Sequence, residues 1–183
     1  MSAKPKRSAV PKSRAKLTKE QIARLPKTDL HCHLDGSLRL STLIELAKTK
    51  GVKLPSNSEA GLKKLVFKRA YRNLPEYLRG FEYTVACLSD PESLERAAFE
   101  LAEDCQNENV AYLEVRFAPQ LHLRDGLSLR DVMRAVCKGL LRAEKMHNRR
   151  ADVKAGERPP FRAGVIVCAM RFFNEHFSDH YRA

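Results

Sequence analysis

The sequence has no apolar run approaching the roughly 20 residues that a membrane-spanning helix needs. No apolar segment follows the charged N-terminus, which argues against a secretory signal. There is no Cys-x-x-Cys. The five cysteines (Cys32, Cys87, Cys105, Cys137 and Cys168) are scattered and odd in number. This argues against a disulfide frame and predicts reduced, mostly buried thiols in a cytoplasmic protein. No internal repeat is visible. Length, at 183 residues, allows one domain with a real core, and contents of 43% apolar and 31% charged residues are ordinary for a soluble chain.

Acidic residues are nearly missing from the start of the chain. Residues 1–27 hold nine Lys or Arg and a single acid, Glu20, so they carry most of the +12 net charge. A basic arm can bind nucleic acid or an anionic surface. This one has no interleaved aromatics and no binding fold behind it, which argues against nucleic acid. Few large apolar residues lie in residues 1–24, so that segment is expected to be a disordered basic tail, with residues 25–183 forming the folded part. Pro5 and Pro11 interrupt the amphipathic helix that a transit peptide would use.

Beyond the tail, strands and helices are expected to alternate. Residues 28–34 read as a strand. Leu40, Leu43, Ile44 and Ala47 give helical spacing up to a stop at Gly51, and a short helix is expected near Glu59–Phe67. Leu74, Tyr77, Leu78 and Phe81 mark an amphipathic helix whose ordinary use is core packing. Another begins near Ser89–Pro91, where Ser89 with Glu92 and Asp90 with Pro91 are equally good caps. Leu94, Ala97, Ala98, Leu101, Ala102 and Cys105 are its expected buried face. Residues 110–117 form a strand with Leu113, Val115 and Phe117 on one face and Tyr112, Glu114 and Arg116 on the other. Ser128 caps a helix to about His147. Residues 161–170 read as a strand buried on both faces, and a further helix opens beyond Arg171. This order predicts an α/β fold with parallel strands.

The chemistry concentrates in Leu30-His31-Cys32-His33-Leu34-Asp35-Gly36-Ser37. On a strand, His31 and His33 share a face while Cys32 takes the other. Two imidazoles side by side are half of a metal site, and Asp35-Gly36 turns the chain at the rim. His176 and His180, four residues apart, are a second pair, better explained as surface residues. His122 and His147 have no stronger claim.

The stretch from Thr28 to Ser37 resembles the adenosine deaminase family of metal-dependent amidohydrolases, which are (β/α)8 barrels. The resemblance continues through Asn73–Phe81, Tyr112–Pro119 and Val167–Arg171, which is similar to about the first three of eight β/α units of a TIM barrel. It implies zinc-dependent hydrolytic deamination of adenosine, or of 2′-deoxyadenosine, to inosine and ammonia. It implies that His31 and His33 are zinc ligands, that His33 and Asp35 contact a purine nucleoside, and that Leu74, Tyr77, Leu78 and Phe81 gate the pocket. The remaining zinc ligands and the general acid/base glutamate are expected beyond residue 183, so no catalytic residue is assigned within the chain. The sequence lacks the His-x-Glu and Pro-Cys-x-x-Cys of the other zinc deaminase fold. Three readings follow: the N-terminal part of an adenosine deaminase, inactive alone; a non-catalytic remnant or a barrel half completed by a partner, binding metal weakly; and a basic module acting through its tail.

Overall fold

The computed structural model describes residues 16–124 and 126–170. The segment carrying His176 and His180 and the expected last helix lie outside the described residues, as do residues 1–15. The first element departs from the expected disordered tail. Lys19–Arg24 forms a short helix, α1, although none of its residues is buried. Local hydrogen bonds hold it: the Thr18 hydroxyl accepts from the Gln21 amide, and Gln21 Oε1 accepts from the Thr18 amide. The junction is tied to the body as well, because Asn109 Nδ2 donates to Arg24 O and Lys27 Nζ donates to Glu108 O.

Strand β1 (Lys27–His33) leads into three helices: α2 (Leu40–Lys50), α3 (Glu59–Leu65) and α4 (Leu74–Cys87). Helix α5 (Pro91–Asn107) then returns the chain to β2 (Val110–Phe117), a 3-10 turn at Pro119–His122, α6 (Leu129–Asn148), a single turn α7 (Ala151–Lys154) and β3 (Arg162–Val167). The sheet order is β1-β2-β3 and both pairings are parallel. Side-chain caps start the longer helices. Asp90, rather than Ser89, caps α5 by accepting from the Ser93 amide at 2.8 Å, and Ser128 caps α6. Each such cap contributes about 1 kcal/mol. Gly51 ends α2 in the left-handed region.

The main core lies between β2 and the α5–α6 layer. Leu113, Val115 and Phe117 pack with Leu94, Ala98, Leu101, Val132, Val136 and Leu140. The predicted buried stripe of α5 is the observed one. A smaller core joins Leu43, Ala47, Leu62, Val66 and Cys87 beneath the α2–α4 excursion. Strand β3 differs from the expectation. Phe161, just before it, is fully buried, but Arg162 and Val167 are exposed and the residues between are half-buried. Among the described residues β3 pairs on one edge only, and helices cover one of its faces, so its apolar composition is not matched by burial on both sides.

Helices α5 and α6 meet at a glycine. A Cβ on Gly139 would collide with the Glu95 carbonyl oxygen and stand 3.0 Å from Ala98 Cβ. Gly139→Ala is therefore expected to lower stability by about 1–3 kcal/mol through overpacking, seen as a lower urea midpoint with an unchanged slope.

His122 is completely buried, its ring 5.7 Å from that of Phe117. The Leu88 carbonyl can only accept, so His122 Nδ1 donates to it at 3.1 Å. Burial pushes the imidazole down to about 4 from its usual 6.5. The neutral ring thus contributes stability that is full above the unfolded value and is lost as pH falls from about 6.5 towards 4. Between pH 7 and pH 5 the unfolding free energy should drop by about 2 kcal/mol on this account. Denaturant titrations at the two pH values should show this contribution removed in His122→Gln.

Candidate metal and purine site

The candidate site is built at the end of β1. His31 and His33 are both exposed on one face, ring centroids 5.3 Å apart, while Cys32 packs towards the main core. The alternation read from the sequence therefore holds at these three positions. Beyond the strand the chain turns sharply. Ser37 Oγ donates to the His33 carbonyl at 2.6 Å and lies 3.4 Å from Cys32 Sγ, pinning the turn back onto the strand. This turn carries Leu34 and Asp35 inwards.

Asp35 is 4% exposed. Its Oδ1 has no hydrogen-bond partner among the described residues and stands 3.9 Å from His33 Nδ1, too far for a hydrogen bond. Burial raises its carboxyl above the ordinary range, opposed by the neighbouring His33. An orphaned, buried carboxyl oxygen at a rim can bind a hydroxyl or amine.

Helix α4 closes over this turn. Phe81 Cζ would lie 3.2 Å from a Cβ on Gly36, so any larger residue there would have to push the ring back by a few tenths of an ångström. Phe81 also meets His33 edge-on at 6.3 Å, and Tyr77 and Tyr71 continue the aromatic chain at 5.7 and 5.1 Å. Asp35, Gly36, Phe67, Tyr71, Tyr77 and Phe81 line a cavity of about 40 Å³. That is far below the roughly 300 Å³ at which small-molecule pockets begin. Of the four expected gate residues, Tyr77 and Phe81 line this cavity, whereas Leu74 and Leu78 stand away from it, 64% and 46% exposed. The core-packing expectation for this stripe fails. The buried face of α4 is Gly80, Thr84 and Cys87, while Leu74, Tyr77 and Leu78 are exposed and Phe81 is half-buried against the turn. Glu76 fixes the preceding loop to α4, accepting from Lys68 Nζ at 2.9 Å and from the Arg72 amide at 2.8 Å. These bonds, the Lys68 one foremost, hold its carboxyl down at about 2.

Arg116, on β2, was legible only as part of a charged face. It does not pair with Glu114, which takes a hydrogen bond from the Tyr112 hydroxyl. Instead Arg116 Nη1 lies 3.2 Å from His31 Nε2. A guanidinium can only donate, so Nε2 accepts and its lone pair is directed at a cation. A metal ion uses that same lone pair. With Arg116 displaced from it, that nitrogen and one from the neighbouring His33 would supply two of the four positions of a zinc site. Among the described residues, no group of three or more His, Cys, Asp or Glu forms a metal set. His122 and His147 belong to the core, the latter through Nε2 donating to Pro159 O and its contact with Phe161.

The sequence model of the adenosine deaminase family matches residues 26–180. An adenosine deaminase of Clostridium perfringens is 48% identical over 128 residues, covering 69% of this chain and 39% of that protein. The N6-mAMP deaminase MAPDA of Arabidopsis superposes with a TM-score of 0.65 at 32% identity, covering 84% of this chain and 43% of the other. Arabidopsis ADAL, solved in complex with GMP, gives 0.63 at 32% identity and the same coverage. The chain thus spans about two fifths of the length of each of these relatives, and its three parallel strands and covering helices form part of their (β/α) barrel. By motif, fold and family match, this chain belongs to the adenosine deaminase family.

Proposed function

We propose that the chain is the first part of a hydrolytic deaminase that converts adenosine to inosine and ammonia with the help of one zinc ion. The observation that carries this reading is the pair His31 and His33, set on one face at the strand end beside the buried Asp35, whose Oδ1 has no partner among the described residues. A zinc ion held there would supply Lewis acidity towards water. The chain's own residues do the rest of what this part contributes. His31 and His33 offer neutral nitrogen donors, with the His31 lone pair already set on Nε2. Asp35 holds a ribose hydroxyl through Oδ1, the oxygen that has no partner among the described residues. Tyr77 and Phe81 form an aromatic wall for the purine and exclude water from its face, and Leu74 and Leu78 extend the apolar surface at the mouth. The small size of the cavity requires α4 to shift when a nucleoside enters. Support for a purine substrate comes from the names of the curated relatives and from the GMP-bound neighbour. Adenosine, rather than a nucleotide, follows the nearer identity of the curated relatives.

The decisive experiment places residues 26–170 in the corresponding part of the Clostridium perfringens protein and follows adenosine loss by ultraviolet absorbance. The chimera should deaminate adenosine. His31→Ala and His33→Ala should each abolish turnover together with zinc retention. Asp35→Ala should lower kcat/KM by about 10- to 100-fold, as loss of a hydrogen bond to a charged group implies, mainly through KM. A folded, zinc-loaded chimera without activity would sink the reading. The 183-residue chain on its own, supplied with zinc, should release no ammonia from adenosine, because two nitrogen donors do not complete a catalytic zinc site.

A further inference from the structure

The ladder between β1 and β2 shifts register twice, once between Lys27 and Thr28, where the extra residue is on β2, and again between Asp29 and Cys32, which simple alternation does not anticipate. Asp29 pairs with Leu113 and Cys32 with Val115, so three steps along β1 match two along β2. One residue too many on a strand is a bulge, and bulges re-aim side chains next to functional sites. Here it reverses the parity of the strand. In an unbroken strand Asp29, His31 and His33 would share a face. In the structure Asp29 is partly buried, as Cys32 is, whereas Leu30 and His31 both stand exposed. The extra residue therefore turns Leu30 and His31 outwards in succession and leaves Asp29 on the side of Cys32.

Asp29 also holds the irregularity in place. Its Oδ1 accepts from the His31 amide at 3.0 Å. This is the short-range pattern by which Asp and Asn side chains capture a backbone amide two residues on. Asp is disfavoured inside strands for the same reason, so its place in mid-strand has a local explanation. The far end of the motif is pinned independently by Ser37 on the His33 carbonyl. The two imidazoles are thus held from both sides, one side by Asp29.

We propose that Asp29 is a positioning residue for the histidine pair: its carboxylate captures the His31 amide within the β1 bulge and so fixes the backbone from which His31 projects beside His33. The functional meaning rests on the metal reading above; the geometric part does not. Asp29 acts through the His31 backbone. Partners that orient metal ligands in this way typically account for about 10–100-fold in metal affinity.

The test uses nuclear magnetic resonance on the zinc-free chain, comparing Asp29→Asn, which keeps an accepting oxygen, with Asp29→Ala, which does not. The unaltered chain and Asp29→Asn should show a ring-to-ring contact between His31 and His33 and slow exchange of the His31 amide. In Asp29→Ala the ring contact should vanish and the His31 amide should exchange at least about tenfold faster, while the amides of Leu113 and Val115 stay protected. Zinc titration should then show Asp29→Ala binding about 10–100-fold more weakly than Asp29→Asn. Retention of the ring contact in Asp29→Ala would overturn the proposal. So would its loss in Asp29→Asn, or a general loss of β2 protection in Asp29→Ala, which would assign Asp29 to folding. If the unaltered chain binds no zinc, two nitrogen donors alone do not retain it, the affinity comparison passes to the chimera, and the ring contact still decides the role of Asp29.

Discussion

Parallel pairing of β1 with β2 holds the site together. His31, His33, Asp35 and Arg116 all hang from this ladder or from the turn that leaves it. The pairing places His33 opposite Arg116 and backs both with the buried row Leu113, Val115 and Phe117. Because that row is packed against α5 and α6, a shift of the ladder would disturb the main core. The rigid scaffold thus lies behind the histidines, and polar groups occupy its open side. Enzymes of the barrel class place chemistry at the carboxyl ends of their strands for the same reason.

The second core has a different task. Leu43, Leu62, Val66 and Cys87 join three helices into a unit inserted between β1 and α5. This unit presents Phe81 to Gly36 and His33 while leaving Leu74, Tyr77 and Leu78 in solvent. An apolar edge left exposed beside a polar turn is costly for stability alone, and large exposed apolar groups of this kind mark binding surfaces. The residues that secure α4 are small, Gly80 and Thr84 among them. Its contact with the body is therefore close but limited in area.

Most of the architecture was legible because it follows from local rules. Helical spacing, the Ser128 cap and the Gly51 stop reappear as elements with nearly the expected bounds. His31 and His33 could be placed on one face from their separation alone. What escaped the sequence depends on tertiary partners. A bulge is a relation between two strands, and nothing in Thr28-Asp29-Leu30 announces which residue of β2 will face it. Arg116 was visible as a charge on the open face of β2, but its choice of His31 over Glu114 is set by strand register. The spacing of Leu74, Tyr77, Leu78 and Phe81 describes an apolar stripe without saying what it meets, and the smaller residues Gly80, Thr84 and Cys87 took the buried side. The burial of β3 was overestimated because composition reports what a strand can bury, not which neighbours it has. The short α1 helix was missed because its hydrogen bonds are local and bury no apolar surface.

Glu76 has a mechanical consequence. It binds Lys68 and Arg72 on one side and sits in the first turn of α4 on the other. The loop bearing Phe67 and Tyr71 is thereby riveted to the helix bearing Tyr77 and Phe81. One carboxylate thus couples the two halves of the aromatic lining, so displacing the helix strains its bonds to Lys68 and Arg72 as well.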